Sequence, residues 1–258
     1  GGRSSEFRCR RRDVDATTVT AVGDAQIDSD GSIVLTTLAG ANLNVSADGT
    51  LMSGTITATG DANLDADGAI TSADLAATGN ATVETRDALT IGTIDAVDVR
   101  IVSGQDMTSG VITASGMVTA LSDAAVNAED IDATGNASVT GAGDVDVDTV
   151  SGAEVTLSSG GMLTAAEVTA TGNAHLAGTG DVTSNDVTAA GGVTVDAGGV
   201  LTSGNVMAGA DANLSSGDML TVGTINAVNV ALNSAASLNS DSVTATGNAT
   251  IDAEGVVT

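Results

Sequence analysis

The sequence predicts an all-β protein, a single-stranded parallel β-helix (solenoid) of about 13 coils, each with 18–19 residues and three short strands. Three observations lead to this prediction. One motif recurs without a gap from Thr20 to the end of the chain, aliphatic residues alternate with polar ones in short clusters, and turn-forming residues separate those clusters. Stacked repeats of this length build a core from their neighbours and need no separate globular core.

The repeat has 19 positions, and units of 18 residues lack position 4. A representative wording of the motif is T-A-T-G-N-A-T-V-D-A-x-G-x-L-T-S-x-x-V, with its first residue at position 1. The units begin at Thr20, Ala39, Thr57, Ala76, Asp95, Thr113, Asp132, Ser151, Thr169, Thr188, Met207, Asn226 and Thr244.

Five repeat positions are apolar and predict the interior of the coil. Position 19 is aliphatic in all twelve complete units, position 2 is Ala or Gly, and positions 6, 8 and 14 are apolar throughout. Each cluster alternates with a period of two and is too short for a helix, which indicates strands. We therefore expect side chains such as Leu64, Val83 and Ile101 to stack on one another inside the solenoid.

The corners between the strands carry glycine at positions 4 and 12, and Asn or Asp usually follows the glycine at position 4. These residue types tolerate a positive φ at a turn. The four 18-residue units place a larger aliphatic residue at position 6, where most other units have Ala: Leu43, Val99, Val155 and Val230. We interpret this as filling of the room that a shorter corner leaves inside the coil.

Composition and charge exclude several classes of function. The net charge is −26, with seven Lys and Arg against 33 Asp and Glu, and 42% of the residues are hydrophobic. The acidic surface would repel nucleic acid and anionic membranes, and no apolar run is long enough for membrane insertion. A single cysteine forms no internal disulfide. Disorder is disfavoured by the aliphatic content and its spacing.

No residue is predicted to be catalytic, to bind a cofactor or to ligate a metal, and the chain is not predicted to be an enzyme. His175, the one histidine, falls at the outward position 7, where other units carry small polar residues. It has no evident orienting partner, which a general base needs. Calcium β-roll and EF-hand motifs are absent, so the acidic residues are interpreted mainly as a solvated face. Weak divalent-cation binding stays open for Asp65, Asp67, Asp144, Asp146 and Asp148.

Two regions are expected in the chain. Residues 1–13 form a basic segment with five arginines, expected to be disordered, and Ser-Ser-Glu-Phe within it is what a cloning junction can encode. Residues 14–258 form the β-helix repeat domain, which we expect to be truncated at its C-terminal end, in the middle of a motif. Unpaired strands at the ends of such a domain favour end-to-end self-association.

The repeats resemble those of a known family. The pattern A-T-G-N-A-(T/S)-V in Ala76–Ile94, Asp132–Val150, Thr169–Val187 and Thr244–Thr258 is similar to the central repeats of filamentous-haemagglutinin-like adhesins, the exoproteins of two-partner secretion. The resemblance implies a right-handed β-helical shaft that is secreted to the bacterial cell surface and meets the host surface or matrix through its parent protein. Some adhesins of this type are glycosylated at Asn-x-Ser/Thr sequons, and this chain has such sequons at Asn44, Asn80, Asn136, Asn213 and Asn248.

The functional prediction from the sequence is therefore a non-catalytic shaft segment of a secreted surface adhesin. Two alternatives stay open. One is a module that binds a receptor or carbohydrate directly through a lateral β-sheet face. The other is a halophile surface repeat protein, because excess Asp without Lys is typical of proteins that work in high salt.

Overall fold

The structure is a computed structural model that describes residues 13–258 and the backbone of Ser5–Cys9. The described secondary structure is entirely β-strand and divides into two compact units, a first unit (Gly1–Glu129) and a second unit (Asp130–Thr258). None of the described residues lies in a helix of the length and hydropathy that a bilayer crossing requires.

Strands of two lengths alternate along the chain, most of them with five or eight residues. The strands β1 to β14 are Ser5–Cys9, Val14–Thr20, Ala25–Ser29, Ile33–Gly40, Leu43–Ala47, Leu51–Ala58, Ala62–Ala66, Ile70–Ala77, Ala81–Thr85, Leu89–Ala96, Val99–Ser103, Met107–Ser109, Ile112–Ala114 and Val118–Ser122. The strands β15 to β28 are Val126–Ala133, Ala137–Gly141, Val145–Gly152, Val155–Ser159, Leu163–Ala170, Ala174–Gly178, Val182–Ala189, Val193–Ala197, Leu201–Ala208, Ala212–Ser216, Leu220–Ala227, Val230–Ser234, Leu238–Ala245 and Ala249–Ala253.

Each unit contains two parallel sheets. In the first unit the short strands follow the order β1-β3-β5-β7-β9-β11-β14, and the long strands follow β2-β4-β6-β8-β10, with β12 and β13 both paired to β10. In the second unit the orders are β16-β18-β20-β22-β24-β26-β28 and β17-β19-β21-β23-β25-β27. Each strand pairs with its counterpart one repeat away. The predicted fold, a parallel β-solenoid of about 13 turns, is confirmed.

The three predicted strands of a coil are present, but two of them are usually joined. In β6 the side chains of Leu51 and Ile56 are both buried although they are five residues apart, an odd spacing that strict alternation would place on opposite faces. This shift in the alternation marks a bend between the two halves of the long strand. The halves become separate strands at Met107–Ser109 and Ile112–Ala114.

The predicted interior columns are confirmed. Leu64 lies in register with Val83, and Val83 lies in register with Ile101. All three side chains are at most 1% exposed. The larger aliphatic residues that follow the shorter corners are also buried, namely Leu43, Val99, Val155 and Val230.

The corner glycines are explained by close stacking. At Gly79 the backbone does not have the positive φ that the sequence analysis expected, and an added Cβ would collide with Asp61 Oδ1 of the preceding coil. Gly79 N–H donates a hydrogen bond to Gly60 O at 2.9 Å. The backbones of successive corners therefore approach too closely for a side chain to point between them.

The N-terminal segment differs in part from the expectation of disorder. Ser5–Cys9 lies as strand β1, paired in parallel with β3, because any extended segment can bond to the open edge of a sheet. Residues 1–4 and 10–12 lie outside the described residues. In the last coil of the second unit, Ile251 occupies the column of Leu232 but is 44% exposed, since the described chain places no further coil over it.

Candidate functional surfaces

His175 lies where the sequence places it, on the outward face of β20, and its side chain is exposed. Its neighbours in register are Thr156 on β18 and Thr194 on β22. A neutral hydroxyl on either side does not orient an imidazole as a carboxylate does, so this arrangement does not build an acid–base pair.

The acidic residues considered for calcium spread over a strand and a corner. Asp146 and Asp148 are exposed on the outer face of β17, whereas Asp144 Oδ1 accepts a hydrogen bond from Met162 N–H at 2.8 Å. Asp67 forms an ion pair with Arg86, with a distance of 2.7 Å between the carboxylate and guanidinium atoms. Among the residues that the structure describes, no group of three or more His, Cys, Asp or Glu side chains could hold a metal ion.

A ladder of Asp and Asn side chains runs along the corner at position 5 of the first unit. Its members are Asp24, Asn42, Asp61, Asn80 and Asp98, on successive coils. In each step the Oδ1 atom accepts a hydrogen bond from the backbone N–H at the same position of the next coil, at 3.1, 3.0, 2.8 and 3.2 Å. The last step runs from Met117 N–H to Asp98 Oδ1 at 2.8 Å.

The second unit has a similar ladder, which is interrupted at Gly192 because glycine has no side-chain acceptor. Glu154 N–H donates to Asn136 Oδ1 at 3.3 Å, Asn173 N–H donates to Glu154 Oε2 at 3.3 Å, and Gly192 N–H donates to Asn173 Oδ1 at 2.7 Å. Further along, Asn248 N–H donates to Asn229 Oδ1 at 2.9 Å. The side chains therefore bind adjacent coils together at a corner where the strands themselves have ended.

Acidic and neutral members alternate along the first ladder, and in the second ladder no two acidic members are adjacent. Asn80 separates Asp61 from Asp98 in the first unit, and Glu154 lies between Asn136 and Asn173 in the second. Adjacent coils are about 4.8 Å apart, a distance at which two carboxylates repel by about 1 kcal/mol even in water. Asn supplies the same acceptor oxygen without the charge, so the alternation keeps the hydrogen bonds and limits the repulsion.

Interior hydroxyl groups at position 10 were missed by the sequence analysis. Ser159 is 3% exposed, and its single hydroxyl proton is shared between Gly143 O at 2.8 Å and Met162 O at 2.7 Å, while its Oγ accepts from Gly161 N–H at 3.0 Å. Ser122 makes the same kind of contacts with Gln105 O and Ala125 O, at 2.8 and 3.2 Å. Each such serine binds the corner of its own coil to the corner of the preceding one.

A second set of interior hydroxyls lies at position 16, just before the bend of the long strand. Ser53 Oγ and Ser72 Oγ are 2.9 Å apart in the first unit, and Ser184 Oγ and Ser203 Oγ are 2.9 Å apart in the second. Here a serine is satisfied by another serine on the adjacent coil. Because these positions hold Ser, Ala, Val, Leu or Ile in different coils, hydropathy alone did not identify them as interior.

The outward faces of the strands are rows of polar residues. A Thr row at position 15 of the second unit occupies four successive coils in register, through Thr164, Thr183, Thr202 and Thr221. After the bend the outward residues include carboxylates, with Glu167 and Asp186 in register on neighbouring coils. These rows keep the lateral faces solvated and spread their charge over many coils.

Each unit has a depression on its lateral surface that is open to solvent. The one in the first unit is lined by Asn80, Asp98 and Arg100, and the guanidinium of Arg100 already pairs with Glu84. The one in the second unit lies beside Met207, whose side chain is 52% exposed. Neither depression has a histidine or cysteine among its lining residues.

The five sequons fall into two structural groups. Asn44 and Asn213 are exposed at the outward position 7 of strands β5 and β24. Asn80, Asn136 and Asn248 lie in the position 5 corners, where the Oδ1 atoms of Asn80 and Asn136 are occupied as hydrogen-bond acceptors.

Comparison of the chain with protein-family models, with curated proteins and with solved structures finds no match.

Proposed function

We propose that this chain is a segment of the structural shaft of a secreted bacterial surface adhesin and that it performs no catalysis. Its role is mechanical: each coil adds about 4.8 Å of reach, and the acidic, hydroxyl-rich exterior keeps the stacked coils soluble. Contact with a host surface or matrix belongs to the parent protein.

The observation that carries the proposal is that neighbouring coils are joined by interior stacking throughout and, at some junctions, by two further kinds of contact as well. Between Asp132–Val150 and the next coil, Val139 and Leu157 stack in the interior, Ser159 Oγ donates to Gly143 O, and Glu154 N–H donates to Asn136 Oδ1 in the outer ladder. Such redundancy resists the separation of coils. The polar and charged groups are distributed along the faces, which favours support over recognition at one site.

Removal of one whole repeat is the first test. Deleting residues 151–168 removes one 18-residue unit and brings two 19-residue units, Asp132–Val150 and Thr169–Val187, into direct contact. A shaft should tolerate this change, so we expect an unchanged β-type circular dichroism spectrum and a maximum dimension about 4.8 Å shorter by X-ray scattering. Deletion of residues 151–159, about half a coil, is the matched control and should abolish the β signal of the second unit, because the interior columns lose their register.

Binding assays are the second test. The intact chain is applied to a glycan array and to a panel of extracellular-matrix proteins, with the 151–168 deletion variant alongside. A shaft should give no saturable binding. Specific saturable binding would overturn the assignment and favour a receptor- or carbohydrate-binding lateral face, and loss of that binding in the deletion variant would locate the face in the second unit.

A further inference from the structure

One coil of the first unit has an interrupted backbone ladder. Met107–Ser109 and Ile112–Ala114 pair with β10 as two separate strands, whereas the corresponding strands from β4 to β27 are continuous over eight residues. At the interruption, Gly110 N–H is shared between Ile91 O at 3.0 Å and Gly92 O at 2.8 Å. The interruption falls at Gly110 and Val111, so this coil is joined to β10 by two separate ladders of three residues each.

The same segment contains a buried hydroxyl without a partner. Ser109 is 3% exposed, and within the described residues its Oγ is the buried side-chain atom that makes no hydrogen bond. Its neighbours in register at position 16 are Ile91 and Ala128, neither of which has a polar side chain. A buried hydroxyl without a partner has lost its hydrogen bonds to water and has gained none in the protein. Opening of the segment restores its hydration and is therefore favoured.

Two further residues weaken this coil. Val111 occupies position 18, where every other complete unit has a polar residue, and it cannot continue the side-chain contact that Thr93 Oγ1 makes with Asp74 Oδ1 at 2.8 Å. Met107 is 1% exposed at position 14, where the other coils place Val, Leu or Ile. Methionine loses more side-chain conformational entropy on burial than these residues do.

We propose that residues 107–114 are the built-in weak point of the first unit, the segment that opens first while the coils around it stay folded. In a solenoid each repeat contacts only its neighbours, so local stability sets where opening begins. This inference concerns the stability of the first unit and holds whether or not the chain serves as a shaft.

Hydrogen exchange of the intact chain, followed by mass spectrometry, tests the proposal. Under conditions where exchange reports the opening equilibrium, the backbone of 107–114 should exchange faster than Ile70–Ala77 in the same unit and Val182–Ala189 in the second unit. Equal protection of all three segments would overturn the proposal without any variant.

Substitutions then identify the cause. Ser109→Ala removes the unsatisfied hydroxyl and should slow exchange of 107–114 by about 5-fold to 100-fold. Ser184→Ala is the matched control: it leaves Ser203 without its partner, so exchange should accelerate at 182–189 and stay unchanged at 107–114. Val111→Thr restores a hydroxyl beside Thr93 and should also slow exchange at 107–114. Unchanged or faster exchange in both Ser109→Ala and Val111→Thr would contradict the proposed origin of the weakness.

Discussion

Interior hydroxyl groups occur at two positions of the repeat, and their hydrogen bonds are satisfied differently at the two positions. At position 10, Ser159 lies at the end of a strand and reaches the carbonyl groups of two corners. At position 16, Ser184 lies where the strand's own carbonyls are engaged in the sheet, and it depends on Ser203 of the next coil. The serine at position 10 is therefore satisfied by corner carbonyl groups, whereas Ser184 and Ser203 at position 16 satisfy each other across adjacent coils.

The largest loss of stability is expected where a serine is introduced at an interior position that has neither corner carbonyl groups nor a serine on the adjacent coil. Leu157 is fully buried in β18, two residues before Ser159. Leu157→Ala should lower the free energy of unfolding by about 2–5 kcal/mol through the cavity that it creates. Leu157→Ser should cost about 1–3 kcal/mol more, because its hydroxyl has no partner there. Urea unfolding followed by circular dichroism measures both, and equal costs for the two variants would contradict the comparison.

The next largest loss of stability is expected at the corner that Ser159 joins to the preceding coil. Ser159→Val keeps a small side chain in the interior but leaves Gly143 O and Met162 O without their donor, and it should destabilise the second unit by about 1–3 kcal/mol. Ser158→Ala, on the outward side of the same strand, is the control and should change the unfolding midpoint little. A result in which both variants behave alike would remove the special role of position 10.

A double-mutant cycle isolates the serine pair at position 16. Ser203→Ala should cost about 1 kcal/mol, because it leaves Ser184 buried without a partner, as Ser109 is in the first unit. Ser184→Ala combined with Ser203→Ala should recover much of the loss, since both polar groups are then gone. The coupling between the two sites is read from the unfolding midpoints of the four proteins. Additive losses would contradict the paired arrangement.

The aliphatic columns were predictable from the sequence because they repeat without exception. Position 19 is aliphatic in every complete unit, and the registers of Leu64, Val83 and Ile101 follow from it. The fold was therefore accessible from spacing alone. The resemblance to adhesin repeats carried the functional prediction further than spacing can, and that part remains a proposal.

The interior serines and the corner ladder were not predictable in the same way. Ser159 and the outward Ser158 are chemically identical in the sequence, and only the alternation of β18 separates their environments. The role of Asn80 depends on which side chains lie one coil away, a relation that becomes visible once the register is known. The break at Gly110 has a sequence signal, the apolar Val111 at a polar position, but its meaning required the structure of the coil.

The smallest loss of stability is expected at the outer corner, because water can replace the hydrogen bonds of the position 5 ladder. Asn80→Asp keeps the oxygen that accepts from Asp98 N–H but places carboxylates on three successive coils, from Asp61 to Asp98. At low salt we expect a loss of no more than about 1 kcal/mol in the free energy of unfolding. Near 1 M salt, where the Debye length is about 3 Å, the difference from the unsubstituted protein should largely vanish.

Asp61→Asn is the matched control for this corner, because it also keeps the acceptor oxygen while removing one charge, and it should be neutral or slightly stabilising at low salt. Thermal unfolding of both variants at the two salt concentrations distinguishes charge repulsion from a loss of hydrogen bonding. If Asn80→Asp were equally destabilising at both concentrations, the alternation of acidic and neutral residues would have to serve the geometry of the corner instead of its charge. The outer ladder would then resemble the interior serines, whose contribution depends on where each hydrogen bond ends and not on the salt around it.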